Sequence, residues 1–264
     1  MNVGGSRCGM TDLTHSKAVH YYKSQFTERI MNDTANKKTV RLRVNGRALE
    51  CVEGQTILDG CRAADIFVPT LCNDRRLIPL GSCRLCIVEV KGYTMPVASC
   101  STPALEGMEI VTENEELLRL RRATLELILA NHPNDCMCCE KAGRCVLQEL
   151  AYKLGVIPPA DAPRHDALPV QDDNQSIIVD VNKCVRCGRC ITICRDVVRR
   201  DAIVMRTPDG EGETRLMPAG TITLLTERCD FCGECISTCP VGSVLDKRQF
   251  GNRKTLVASQ SSSE

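Results

Sequence analysis

The sequence predicts an α+β chain made of three small modules, and three observations carry that prediction. An alternating apolar pattern broken by Asn45-Gly46 predicts a hairpin near the start of the structured region. Apolar residues at helical spacing, closed by Pro133, predict one long helix in the middle. The run Cys184, Cys187, Cys190, Cys194 recurs 45 residues later as Cys229, Cys232, Cys235, Cys239, which implies two equal half-units at the end.

Residues 1–36 are polar and without period, and hold Gly4, Gly5, Ser6 and a lone Cys8; they read as a disordered arm. In the first module, residues 37–112, Val40, Leu42 and Val44 alternate with Arg41 and Arg43, and residues 48–52 return as a second strand. Thr56 can cap a short helix whose Ile57, Leu58, Cys61 and Ala64 share one face. Residues 85–90 and 108–111 read as short strands. In the second module, residues 113–154, a capping box at Thr112 and Glu115 opens a helix to Ala130 with Leu117, Leu118, Leu125, Ile128 and Leu129 inward. Residues 155–174, with Pro158, Pro159, Pro163 and Pro169, read as a linker. The third module is residues 175–250; Pro208, Asp209, Gly210 and Gly212 mark a turn between its halves, and residues 251–264 end in a Ser-rich flexible tail.

The 264 residues carry 34 basic and 33 acidic side chains, so no bulk field favours nucleic acid or an anionic membrane. Aromatic content is 3% with no Trp, too little for an ordinary large core, and metal sites cross-linking several segments would supply part of the missing stability. Nineteen cysteines also suit a secreted disulfide scaffold, but the first thirty residues lack the apolar stretch of a signal peptide. Thiolate ligands and a reducing cytoplasm are therefore expected, with no direct membrane insertion.

Fifteen cysteines and one histidine sort into four ligand sets. Cys72, Cys83, Cys86 and Cys100 form the first, delivered by the loop after a hairpin and helix, as in plant-type [2Fe-2S] domains of the β-grasp kind. Gly81 and Gly92 would let backbone approach sulfur closely. His132, Cys136, Cys139 and Cys145 form the second, and on spacing alone a Cys3His zinc site competes with an iron–sulfur cluster. A neutral imidazole in place of a thiolate would raise the potential of a cluster there. The two C-x2-C-x2-C-x3-C runs match bacterial ferredoxins, in which the fourth cysteine of each run ligates the other run's cluster. Cys184, Cys187, Cys190 and Cys239 then hold one cluster, and Cys229, Cys232, Cys235 and Cys194 the other. Gly188 and Gly233 stand where a side chain would crowd the cluster. Left over are Cys8, Cys51, Cys61 and Cys138, with Cys51 and Cys61 read as buried apolar groups and Cys138 as a rival to Cys139. Arg195, Arg199, Arg200 and Arg206 read as a solvated face that could also stabilise reduced clusters or meet an acidic partner. The fold expected is a plant-type ferredoxin β-grasp domain, a small helical His/Cys3 domain and a bacterial-type 2[4Fe-4S] ferredoxin domain.

From about Lys37 to about Lys247, the module order and the segments VPTLC, GSCRLCIVEV, HPNDCMCCEKAGRCVLQELA and CPVGSVLDKR resemble one family. It is the iron–sulfur subunit of bidirectional NAD-linked hydrogenases and NAD-dependent formate dehydrogenases, similar to the N-terminal portion of the large iron–sulfur subunit of respiratory complex I. The resemblance implies [2Fe-2S] ligation by the first set and a [4Fe-4S] cluster rather than zinc at His132. In all it implies one [2Fe-2S] and three [4Fe-4S] clusters. The chain stops where complex I would begin a molybdopterin-oxidoreductase-like domain, and both ferredoxin runs are complete, which favours the short hydrogenase or formate-dehydrogenase type. The partners implied are an FMN flavoprotein subunit that handles NAD(H), a thioredoxin-like [2Fe-2S] subunit and a hydrogenase or formate dehydrogenase catalytic subunit. No G-x-G-x-x-G or G-x-x-x-x-G-K-[ST] occurs, so this chain is expected to be an electron-transfer subunit that is not catalytic alone. The alternative is a stand-alone polyferredoxin.

Overall fold

The computed structural model describes residues 38–159, 168–206 and 221–248. The expected N-terminal arm, the turn at residues 208–212 and the tail over 251–264 lie outside those residues, as does part of the linker.

Alternation of Val40, Leu42 and Val44 with exposed neighbours buries one face of β1 (Thr39–Val44). β1 pairs antiparallel with β2 (Arg47–Val52) through Asn45 and Gly46, whose φ of 51° and 80° are what a type I′ turn requires. Its other edge takes β5 (Glu109–Val111) in parallel, and β3 (Ile87–Val90) and β4 (Val97–Ala98) extend the sheet in the order β2-β1-β5-β3-β4. β4 carries no period in the sequence because it is two residues long. Helix α1 (Ile57–Ala63) starts at Thr56, whose side chain and that of Asp59 cap each other's backbone N–H. It buries Ile57, Leu58 and Cys61 in one core with Val40, Leu42, Val44 and Cys51. A Cβ on Gly60 would collide with Cys51 Sγ, so the small residues of strand and helix fit each other.

Helix α2 (Glu115–Ala130) begins two residues later than the capping box predicted. Its cap is Asn114, whose Oδ1 accepts from Leu117 N–H at 2.8 Å. Thr112 is already engaged: its N–H donates to Asn45 Oδ1 and its Oγ1 accepts from Asn45 Nδ2. Leu117, Leu125 and Leu129 are buried, and Arg121 is buried on the same side. Helix α3 (Val146–Leu154) ends at Gly155, whose φ of 63° lets the chain turn back so that Val156 N–H reaches Ala151 O.

In the third module β6 (Ile177–Val179) pairs with β9 (Val244–Asp246), and β7 (Ile203–Arg206) with β8 (Thr221–Leu224), both antiparallel. Each cysteine run feeds a short helix, α4 (Arg189–Thr192) or α5 (Glu234–Thr238). α4 runs on into one π-helical stretch, Ile193–Val198, which contains Cys194.

A second core crosses the expected module boundaries. Leu71 and Leu85 from the first segment pack with Leu125, Leu129, Leu147 and Leu150 of the second and with Ile177, Ile203 and Val244 of the third. Each such leucine, fully buried, stabilises the fold by roughly 1.5–3 kcal/mol, so the described residues from Thr39 onward form one compact unit. Among the described residues, no helix is long and apolar enough to cross a membrane.

Candidate metal centres

Three of the first ligand set, Cys72, Cys83 and Cys86, hang on a loop that leaves α1 and returns as β3, and Cys100 follows β4. Gly81 and Arg84 both adopt positive φ, 63° and 54°, and wind the loop so that backbone N–H groups face the sulfurs. Leu71 N–H donates to Cys83 Sγ at 3.4 Å, and Cys83 N–H to Cys72 Sγ at 3.5 Å. The four thiols pair two by two, Cys72 with Cys83 and Cys86 with Cys100. A hydrogen bond from the partner thiol holds Cys72 and Cys86 well below the usual thiol range, and the same bond pushes Cys83 and Cys100 up. Two thiolates for each of two irons is the donor pattern of a [2Fe-2S] cluster, and this set fits it. Gly92 too adopts a positive φ, 89°. A Cβ at Gly81 would meet Ser101 Oγ at 3.6 Å, and one at Gly92 would meet nothing within 4 Å.

The second set begins where α2 ends. His132 Nδ1 accepts from Asn134 N–H at 3.2 Å, and its Nε2 is buried without a hydrogen-bond partner among the described residues. Burial lowers the imidazole pKa and so favours the neutral ring that metal ligation needs. A metal at Nε2 requires the tautomer with its proton on Nδ1, so the Asn134 N–H contact at Nδ1 would have to open when the site is filled. A 3-10 turn, Cys136–Cys138, then separates two neighbours: Cys138 is exposed and Cys139 buried. Cys139 Sγ lies 2.9 Å from where a Cβ on Gly242 would stand, so the third module's glycine leaves room for this sulfur. Cys136 and Cys145 both have Cys139 as an electrostatic neighbour.

The third and fourth sets repeat one geometry. Arg186 and Phe231, at φ 53° and 58°, each aim a backbone N–H at the sulfur two residues earlier, Cys184 and Cys229, at 3.4 Å. Gly188 and Gly233, at φ 76° and 75°, follow as the helix caps; no protein atom stands within 4 Å of a Cβ built on Gly233. The fourth cysteine of each run stands among the first three of the other. Cys187 and Cys190 have Cys184 and Cys239 as neighbours, whereas Cys235 has Cys194, Cys229 and Cys232. Cys194 Sγ accepts from Ala202 N–H at 3.3 Å. Desolvation raises Cys187 and Cys235 to about 12, so these thiols stay protonated until a metal displaces the proton. Cys232 is exposed, and the fourth set opens to the surface beside Val198, Arg200 and Asp230. Of the arginines read as a solvated face, Arg195 pairs with Asp196 and Arg200 with Asp230.

Among the described residues, no three His, Cys, Asp or Glu side chains converge on a point that suits a single metal ion.

Short contacts join these sets. Ser82 Oγ donates to Cys187 O at 3.5 Å, and Arg189 donates to Asn73 O and to Thr238 O. Asp74 accepts from Thr238 Oγ1 at 2.8 Å, and Arg76 bridges Asp74 and Glu234. The first set is thereby pinned to the third. Val146 N–H donates to Pro240 O at 2.9 Å, and the buried Lys183 ammonium lies 3.5–3.6 Å from Asp135, Glu140 and Asp180. Burial works against its charge, and Cys139 with the three carboxylates outweighs that. Sequence reading missed Arg121, Lys183 and Arg189. The available signal was a basic residue at a core position, clearest at Arg121, four residues from both Leu117 and Leu125 on the buried side of α2.

Three stretches of the chain match known protein families. Residues 37–115 match the 2Fe-2S iron-sulfur cluster binding domain, residues 121–158 the NADH-ubiquinone oxidoreductase-G iron-sulfur binding region, and residues 167–243 the 4Fe-4S dicluster domain. The chain is 36% identical over 210 residues to the NADP-reducing hydrogenase subunit HndD of Solidesulfovibrio fructosivorans, covering 77% of this chain and 35% of that one. It is 33% identical over 208 residues to the mitochondrial NADH dehydrogenase (ubiquinone) iron-sulfur protein 1 of Solanum tuberosum, covering 77% of this chain and 27% of that one. It is 32% identical over 214 residues to the NADPH-Fe(3+) oxidoreductase subunit alpha of Geobacter sulfurreducens, covering 79% of this chain and 24% of that one. The chain thus spans between about a quarter and about a third of the length of these curated relatives. Among solved structures, a chain of the NAD+-reducing [NiFe]-hydrogenase in its H2-reduced state matches with a TM-score of 0.70 and 29% identity, over 79% of this chain and 87% of that chain.

Proposed function

The chain belongs to the iron–sulfur family that these hydrogenase and complex I subunits share, and from that premise we propose that it relays single electrons inside a multi-subunit NAD(P)-linked oxidoreductase. The observation that carries the reading is that three iron–sulfur regions follow one another in the order of those relatives and share one core. In this reading the first domain is a β-grasp ferredoxin holding one [2Fe-2S] cluster through Cys72, Cys83, Cys86 and Cys100. Three [4Fe-4S] clusters belong to His132, Cys136, Cys139 and Cys145, to Cys184, Cys187, Cys190 and Cys239, and to Cys229, Cys232, Cys235 and Cys194. The bound clusters supply one-electron redox chemistry.

The residues of this chain do the rest. Backbone N–H groups of Leu71, Cys83, Arg186, Phe231 and Ala202 point at ligand sulfurs, where added negative charge is best tolerated. Burial of Cys86, Cys100, Cys139 and Cys190 keeps water from those sulfurs. The contacts of Ser82, Arg189 and Lys183 hold the sites at fixed separations. Cys187 O accepts from Ser82 Oγ and Gly242 leaves room for Cys139 Sγ, which supports a place for site three between sites one and two.

NADH gives up two electrons as hydride, whereas each cluster takes one, so a flavin has to stand between them. We assign that flavin, as FMN, to a partner flavoprotein subunit, beside a thioredoxin-like [2Fe-2S] subunit and a hydrogenase or formate dehydrogenase catalytic subunit, all in the cytoplasm. Anaerobic mixing of the purified chain with NADH tests this by visible bleaching. Dithionite should bleach the chain, and NADH should do so only once the flavoprotein is added. Rapid bleaching by NADH alone would overturn the relay reading. A monomer that exchanges electrons freely with unrelated soluble enzymes would instead make it a stand-alone polyferredoxin.

A further inference from the structure

Arg121 is 3% exposed, deeper than any other arginine among the described residues. Its Nε donates to Leu85 O at 3.1 Å and one terminal nitrogen to Ile87 O at 2.7 Å, so the guanidinium grips the two carbonyls that flank Cys86. Among the described residues no carboxylate forms an ion pair with it; Glu113 acts only from farther off. A guanidinium does not give up its proton in a protein, and an unpaired charge at this depth is strongly unfavourable. Two neutral carbonyls orient the charge without balancing it.

Lys183 marks the contrast. It is also buried, but three carboxylates surround it, so its charge is balanced by this chain's own residues. Arg121 has no such set: Glu113, outside ion-pair reach, is its first charged neighbour and the ligand Cys86 the next, and the carbonyls on either side of Cys86 are the ones it holds. Two ferric ions, two sulfides and four thiolates sum to a dianion, and one-electron reduction makes one iron ferrous and the group a trianion, with no bond made or broken. A fixed positive charge in a low-dielectric interior stabilises the second form more than the first.

We infer that Arg121, although it belongs to α2, is the counter-charge of site one, a positioning residue that raises the potential of a [2Fe-2S] cluster held by Cys72, Cys83, Cys86 and Cys100. The inference rests on the proposed ligation of that site. The experiment is an EPR-monitored redox titration of the full chain, loaded anaerobically, as wild type, Arg121→Met and Arg121→Lys. The [2Fe-2S] midpoint should fall in Arg121→Met, stay nearer the wild type in Arg121→Lys, and leave the other signals unmoved. An intact [2Fe-2S] signal with an unchanged midpoint in Arg121→Met overturns the counter-charge. Absence of any [2Fe-2S] signal in the wild type overturns the ligation instead. Where Arg121→Met does not retain the cluster, melting of the iron-free proteins decides. Loss in Arg121→Met alone, with all three iron-free forms melting alike, supports the assignment. Loss in both variants, or a lower melting temperature of iron-free Arg121→Met, makes the residue merely structural and overturns it.

Discussion

Cys138 and Cys139 are adjacent in sequence and opposite in environment: one exposed, the other buried against Gly242. The sequence reading put Cys139 in the ligand set and left Cys138 as a rival, and the fold sets the two apart through a neighbour some hundred residues away. Cys139→Ser should lose or convert one [4Fe-4S] EPR signal of the loaded chain, and Cys138→Ser should leave all signals intact; the opposite pattern would sink the assignment. His132 shows the same limit. The sequence put a histidine near three cysteines, but only the fold shows that its Nε2 is buried and unpartnered while Asn134 orients the ring. Arg121 carried a signal, a basic residue at helical spacing with Leu117 and Leu125, but nothing in the sequence names the Leu85 and Ile87 carbonyls that it grips.

Helix α2 shows which structural elements could be read. The hairpin and the Thr56 cap were legible because every partner lies within about one turn or strand pair. The start of α2 was not, because Asn45, 67 residues away, claims Thr112 and passes the cap to Asn114. Asn114 also donates to Glu89 Oε2 at 2.9 Å and so fastens the helix to β3. Asn114→Ala should therefore cost about 1 kcal/mol or somewhat more, seen as a lower denaturant midpoint of the loaded chain by circular dichroism. Thr112→Ser keeps a hydroxyl for Asn45 and should stay near the wild type. A neutral Asn114→Ala would contradict the Asn114 cap. The π-helical stretch at Cys194 was invisible for another reason: ITICRDVV, rich in β-branched residues, carries no mark of a π turn.

At the level of the whole chain, the sequence reading divided residues 37–250 into modules, and the structure draws those segments onto a shared core. The division followed composition and motif spacing, which report local units. The shared core depends on residues such as Leu71, in a loop, and Leu85, just before β3, whose distant partners no local pattern names. Aromatic residues are few and Trp is absent, and the core takes in ligand cysteines such as Cys190, Cys194, Cys235 and Cys239 on their loops. Desolvated thiols such as Cys187, Cys190 and Cys235 hold their protons in the absence of metal, so loading should release protons and stiffen these loops. The central claim is a four-cluster electron relay, and metal content tests it most directly. Anaerobically purified and fully reconstituted chain should hold about 14 iron atoms, with zinc near background. Stoichiometric zinc, or iron near half that value, would contradict the account.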